Sequence, residues 1–121
     1  MSAAAWIAVG LLGGIAAAAR FVLDAEVTVH RPGRFPLGIL VVNLLGALAL
    51  GIVAGSGLDG DGYTVLAGGV IGSFTTFSTW ILDSHRLAAA DRADLAWLNI
   101  GISLVAGFAA VALGHWIGGA L

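Results

Sequence analysis

The sequence contains no cysteine, and only 10% of its 121 residues are charged. Without cysteine the chain can form neither a disulfide framework nor a thiol-based site. A soluble domain usually has about 25% charged residues. The shortage of charge, together with 60% hydrophobic residues and a mean hydropathy of +1.03, therefore indicates a membrane protein. A net charge of −2 points to no particular partner, and we expect no binding to nucleic acid.

The sequence also lacks the side chains that most enzymes require. No pair of carboxylates lies within an apolar segment, and no Ser/His/Asp set, HExxH motif or phosphate-binding loop is present. Because the usual acids, bases and metal ligands are missing, we do not expect an enzyme. The first apolar run has no basic flank before it, so we expect no cleaved signal peptide.

What the chain contains instead is four long apolar segments, each close to the roughly 20 residues that span a bilayer core. They cover residues 3–23, 36–55, 63–82 and 95–117. Charged or turn-forming stretches separate them, and we expect loops at residues 24–35, 56–62 and 83–94. The pattern predicts an all-α membrane protein with one domain of four transmembrane helices over residues 1–121.

Glycines recur four positions apart in every predicted helix, a spacing that lets helix backbones approach each other. Such pairs are also common by chance in a chain with 19 glycines, so no single pair identifies an interface. The pairs are Gly10/Gly14, Gly51/Gly55, Gly68/Gly72 and Gly114/Gly118.

The third segment carries an unusual stretch at residues 68–80, which reads GGVIGSFTTFSTW. Glycine weakens a helix, and hydroxyl side chains offer the backbone an alternative hydrogen-bond partner. The stretch therefore predicts that the third helix is broken near its middle. Because a break within a membrane is tolerated only where protein or a water-filled cavity buries it, we expect the functional site here.

The arginines are distributed with a clear bias. Arg31 and Arg34 lie between the first and second helices, Arg86 and Arg92 lie between the third and fourth, and Arg20 is close to the first of these loops. The chain termini and the turn at residues 56–62 contain no basic residue. The positive-inside rule then places both basic loops in the cytoplasm and both termini outside.

Several polar residues fall within the predicted helices. Arg20 is the only charge inside a span, and it is either functional or a snorkelling side chain. Asn43 lies too deep to snorkel, and it serves either a pore or an interhelical hydrogen bond. Asn99, Ser103 and Gly107 recur every four residues and so share one face of the fourth helix.

Phe77 and Trp80 share a face if their segment is helical, because they are three positions apart. Aromatic ring edges carry positive partial charge, and amide and hydroxyl groups donate hydrogen bonds. A path lined by these groups suits a small dehydrated anion better than a cation. The alternative is that both rings pack against lipid or core.

These motifs resemble those of the Fluc (CrcB-like) fluoride channels over nearly the whole chain. The matching stretches are GGIAAAARF in the first helix, FPLGILVVNLLG in the second, GSFTTFSTW in the third and the polar stripe of the fourth. The resemblance implies passive export of fluoride across the cell (inner) membrane. It also implies an antiparallel dimer with two pores near the subunit interface.

The resemblance assigns a role to individual residues by their place in the motifs. The fluoride path is lined by Phe77, Trp80, Asn43, Asn99 and Ser103. The backbone carbonyls of Gly72 and Thr75 hold a structural sodium ion between the subunits, in keeping with the oxygen ligands that hard cations prefer. Arg20 matches an arginine of the first helix in that family.

This chain departs from the usual family pattern at three of these motif positions. Trp80 stands where phenylalanine is usual, Ile39 where threonine is common, and Asn99 where tyrosine is frequent. Since a sequence that inserts both ways should have balanced basic residues, the one-sided arginines favour a heterodimer with an oppositely oriented paralogue over a homodimer. A non-conducting structural subunit remains an alternative. A small multidrug transporter is disfavoured, because the predicted first helix has no carboxylate.

Overall fold

The computed structural model describes all 121 residues, and none of them is in a β-strand. Four helical segments are long and apolar enough to cross a membrane, which confirms the predicted all-α fold with four spans. They are helix α1 (Ala3–His30), helix α2 (Leu37–Gly55), the third span (Gly60–Ala89) and helix α6 (Ala93–Gly119). The chain is therefore a multi-pass membrane protein.

The third span is built from two arms that a break separates. The upstream arm consists of helix α3 (Gly60–Tyr63), a π-helix (Thr64–Ile71) and the short helix α4 (Gly72–Phe74). The downstream arm is helix α5 (Ser78–Ala89). Residues 75–77 between the arms are not helical. The break predicted near the middle of this span is thus confirmed.

The two charged loops are shorter than predicted. Helix α1 continues to His30, so residues 24–30 are helical and not part of a loop. Helix α5 continues to Ala89 and α6 begins at Ala93, which leaves a tight turn in which Asp91 has a φ of 60°. The prediction failed because it treated charge as a helix terminator, whereas charged residues extend a helix readily once it reaches the membrane surface.

Helices α2 and α6 pack against each other more extensively than any other pair of helices, and glycines make their close contact possible. A side chain on Gly51 would collide with the carbonyl of Val111, and one on Gly114 would collide with the carbonyl of Leu48. Gly118 meets the α2 backbone in the same way. The glycine pairs in α2 and α6 therefore pack against each other, backbone to backbone.

Glycines of the other two pairs are packed less uniformly. Gly10, Gly14 and Gly68 face open space, and only Gly72 has a backbone atom of its own chain within 4 Å. The spacing alone did not distinguish these glycines from those that hold α2 against α6.

Only 18 of the 121 residues are buried, so most apolar side chains face outward, as suits a surface that lipid covers. Large aromatic side chains are among those most exposed, namely Trp6, Phe21, Trp97, Phe108 and Trp116.

The two basic turns lie at the same end of the bundle. Arg34 and Pro36 from the α1–α2 connection line one cleft together with Asp83 and Arg86 of α5. In the second turn, Arg92 donates two hydrogen bonds of 3.0 Å to Asp94, and this partner raises the pKa of the exposed guanidinium further above its ordinary value. The arginines of the two turns, Arg31, Arg34, Arg86 and Arg92, are therefore grouped at one end of the bundle.

Candidate functional site

The chain leaves the upstream arm at Thr75, whose φ of −83° and ψ of 161° are extended. The Thr75 backbone N–H and its hydroxyl both donate to the Ile71 carbonyl, at 3.0 and 3.1 Å. Its methyl group lies directly against Gly46 of α2, where an added Cβ would collide with it. Because Gly46 has no side chain, the broken segment can pack directly against α2 at this point.

Asn43 of α2 holds the broken backbone in place. Its Nδ2 donates to the Thr76 carbonyl at 2.9 Å, and the Thr76 N–H donates to its Oδ1 at 2.9 Å. One side chain thereby pairs both the N–H and the carbonyl of Thr76, which have no helical partner at the break. Because Nδ2 carries two hydrogens, one N–H of Asn43 is still free for a ligand.

The Thr76 hydroxyl starts the downstream arm. It accepts a hydrogen bond from the Thr79 N–H at 3.3 Å and donates to the Thr79 hydroxyl at 3.2 Å. An oxygen that accepts from an N–H in the first turn is the usual N-terminal cap of a helix. Thr76 is buried, and sequence reasoning did not assign it a role, although threonine is a preferred residue at a helix N-cap.

The break leaves backbone groups of opposite polarity unpaired. The carbonyl oxygens of Gly72 and Thr75 accept no hydrogen bond from the chain. The N–H groups of Phe77 and Trp80 donate none. The upstream arm therefore ends in free acceptors, and α5 begins with free donors and the positive end of its dipole.

Phe77 and Trp80 form an edge-to-face pair beside the break. Their ring centroids are 5.5 Å apart, and their planes meet at 75°. Phe77 is 71% exposed at the surface of the chain, and Trp80 is half-buried. The indole Nε1 donates to the backbone carbonyl of Asn99 at 3.3 Å.

These groups meet around a cavity of about 310 Å³ between α2, the third span and α6. Its wall contains no charged side chain, and its polar members include Asn43, Thr75 and Ser103. Phe77 and Trp80 complete the wall. Ser103 lines the cavity, and its hydroxyl is buried without a hydrogen-bond partner.

The remaining residues predicted from the sequence lie apart from this wall. Asn99 is only 1% exposed and donates from Nδ2 to the Ser84 hydroxyl at 2.9 Å, behind Trp80. Gly72 is exposed just before the break, and Arg20 is half-buried in α1, far from the end of that helix at His30. Sequence reasoning missed Ser84, because it placed that residue in a loop.

Comparisons with known proteins agree with these features. The family model described as "CrcB-like protein, Camphor Resistance (CrcB)" matches residues 7–115. A relative from Mycobacterium bovis named "Fluoride-specific ion channel FluC 2" is 42% identical over 117 residues, which cover 97% of this chain and 93% of the relative.

Two further relatives come from Symbiobacterium thermophilum. Its "Fluoride-specific ion channel FluC 2" is 45% identical over 111 residues, 88% of this chain and 87% of the relative. Its "Fluoride-specific ion channel FluC 1" is 36% identical over 120 residues, 93% of this chain and 96% of the relative.

Proposed function

The chain belongs to the CrcB-like family, and on that premise we propose that it is a fluoride-selective passive ion channel. It forms one four-helix channel domain over residues 1–121, and it exports cytoplasmic fluoride across the cell (inner) membrane. The driving force is the inside-negative membrane potential, which expels an anion through any open path. Export keeps the intracellular concentration low when hydrogen fluoride enters from acidic surroundings and dissociates.

The observation that carries this proposal is a largely apolar cavity whose wall has a few hydrogen-bond donors and no charged side chain. The Ser103 hydroxyl has no partner, and the second N–H of Asn43 is unused. The ring edges of Phe77 and Trp80 add positive partial charge. Together these groups favour an anion small enough to lose its water in a narrow, largely apolar passage.

The backbone at the break also favours an anion over a cation. Helix α5 presents its N-terminus to the site, and the Phe77 and Trp80 N–H groups there have no acceptor. Helix N-termini with free N–H groups attract anions through both hydrogen bonding and the helix dipole.

A structural sodium ion is proposed on the opposite side of the break. The Gly72 and Thr75 carbonyl oxygens are free, and oxygen ligands suit a hard cation. The structure contains no cluster of three or more acidic or histidine side chains that could hold a metal instead. Two carbonyls per chain leave the shell incomplete, so a second subunit would supply the others. A cation there would raise the local potential and favour anions.

The second subunit is proposed to insert in the opposite orientation. The exposed ring of Phe77 and the unused carbonyls of Gly72 and Thr75 need such a partner. The positions of all five arginines favour one orientation of this chain in the membrane. The preferred partner is therefore a paralogue with the opposite arginine distribution, and a second copy of this chain is the alternative. Relatives named FluC 1 and FluC 2 within one organism are compatible with such pairs.

Fluoride-electrode efflux from liposomes tests the function directly. The assembled channel should release fluoride, and Phe77→Ile should abolish the efflux because it removes a positive ring edge from the path. Phe21→Ile is the matched control, since Phe21 is 74% exposed on α1 and away from the cavity, and it should conduct like the unchanged chain.

Two results would contradict the proposal in different ways. No efflux from the chain, alone or with an oppositely oriented paralogue, would refute a fluoride channel. Full efflux from Phe77→Ile would instead favour the second candidate, a non-conducting structural subunit. That candidate is kept because the indole of Trp80 fills more of the cavity than a phenyl ring would.

A further inference from the structure

A closed set of hydrogen bonds connects the downstream arm to α6. The Trp80 indole donates to the backbone carbonyl of Asn99 at 3.3 Å, and Asn99 Nδ2 donates to the Ser84 hydroxyl at 2.9 Å. The Ser84 hydroxyl then donates back to the Trp80 carbonyl at 3.0 Å. We call these three residues the clasp.

Two of the three clasp residues are buried, which restricts their hydrogen bonds to partners within the chain. Asn99 is 1% exposed and Ser84 is 4% exposed. A buried amide or hydroxyl that loses its partner destabilises the fold, because water cannot reach it to replace the hydrogen bond. The clasp therefore permits one relative placement of α5 and α6.

The break makes this placement consequential. In a continuous helix, the upstream turns would fix the rotation of α5 about its axis. Here residues 75–77 interrupt the helical ladder, so contacts with α6 must set that rotation. The position of the Trp80 ring in the cavity wall follows from it.

We infer that Asn99 and Ser84 are positioning residues, which fix the Trp80 ring in the wall of the fluoride path without touching the ion. The clasp turns the indole N–H away from the cavity toward α6, so that the larger ring presents carbon edges to the path. This inference rests on the proposed function. It gives Asn99 a role different from the direct contact with fluoride that the resemblance implied.

Two variants separate positioning from folding. Ser84→Ala removes the central hydroxyl and leaves the Asn99 amide buried without an acceptor. Adding Asn99→Leu, which has a similar shape, removes both polar partners, so the double variant should regain most of the stability that Ser84→Ala loses. If the clasp only stabilises the fold, fluoride efflux should recover together with stability.

We expect efflux from the double variant to stay about tenfold below that of the unchanged channel despite its recovered stability. The exposed turn residue Ser56, changed to alanine, serves as the control and should have no effect. A second readout uses Trp80 fluorescence after Trp6, Trp97 and Trp116 are replaced by phenylalanine. Both variants keep the backbone carbonyl of residue 99 that accepts from the indole. A shift of the emission to longer wavelength, which we expect in both variants, therefore reports that the ring has moved after the two side-chain groups of the clasp are lost.

Each outcome decides the matter. Efflux of the double variant within twofold of the unchanged channel would overturn the positioning role, and so would an unshifted Trp80 emission. If the unchanged chain carries no fluoride at all, the proposed function fails, but the emission of the variants still shows whether the clasp holds the ring.

Discussion

The two arms of the third span differ in how they are held and in what they offer to the site. The upstream arm packs on α1 through small residues, with Gly13 against Ser73 and Gly69 against Val9. The downstream arm is tied to α6 by the polar clasp. At the break the first arm ends in free carbonyls and the second begins with free N–H groups. One interrupted helix thus leaves free acceptors and free donors close together in the sequence.

Which arm faces the cytoplasm is an all-or-none question. The arginine bias predicts that α5 points to the cytoplasm and that both termini lie outside. A reporter enzyme that is active only outside the cell membrane should therefore be active when fused after Leu121. A fusion within the turn at residues 90–92 is the control and should be inactive. The reverse pattern would show that the upstream arm, and not α5, points to the cytoplasm.

The joint between the arms should be the site of the largest change in stability. Asn43→Leu leaves the Thr76 N–H and carbonyl unpaired, which should cost about 2–4 kcal/mol and abolish efflux. Thermal unfolding in detergent measures the first effect. Asn43→Asp keeps the acceptor for the Thr76 N–H, so its melting temperature should lie between those of the unchanged protein and Asn43→Leu. An unchanged melting temperature for Asn43→Leu would show that the joint does not depend on Asn43.

The contact between the upstream arm and α1 should be more tolerant. A side chain at Gly13 would meet the Ser73 hydroxyl at 2.9 Å and the Gly69 carbonyl at 3.2 Å, so Gly13→Val should destabilise the protein by about 1–3 kcal/mol. Gly14 has nothing within 4 Å, and Gly14→Val is the matched control. Equal melting temperatures for the two variants would contradict this packing.

The smallest expected effect concerns the cap of the downstream arm. Thr76→Val removes the hydroxyl that accepts from the Thr79 N–H but keeps the backbone bonds to Asn43, so it should cost about 1 kcal/mol. Thr64→Val removes an exposed hydroxyl bond within the upstream arm and should cost less. The same thermal unfolding measures both variants. A larger loss of stability for Thr64→Val than for Thr76→Val would show that the Thr76 cap is not the more important of the two hydroxyl bonds.

Much of the fold and part of the site could be predicted from the sequence. Hydrophobic length located the four spans, and the glycines and hydroxyls of residues 68–80 located the break. Asn43, Phe77, Trp80 and Ser103 do line one cavity. Each of these features depends on local pattern or on one face of one helix.

The misses depend on which helix lies opposite. The four-residue spacing placed Asn99 and Ser103 on one face of α6, but that face meets α5 at Asn99 and the cavity at Ser103. Ser84 was assigned to a loop because charged residues surround it. A pattern along one helix cannot state where its neighbour changes, so the clasp required three-dimensional coordinates.

The π-helix at Thr64–Ile71 has a consequence for how this protein tolerates length changes. Each wide turn accommodates more residues than the 3.6 of an α-helix, in which one residue advances the chain by about 100°. Deleting a single position such as Gly68, where an added side chain would meet nothing, would let the segment tighten toward an α-helix, and the tightening would offset part of the rotation that the deletion imposes on the Gly72 carbonyl. This stretch should therefore absorb the loss of one residue better than a regular α-helix would.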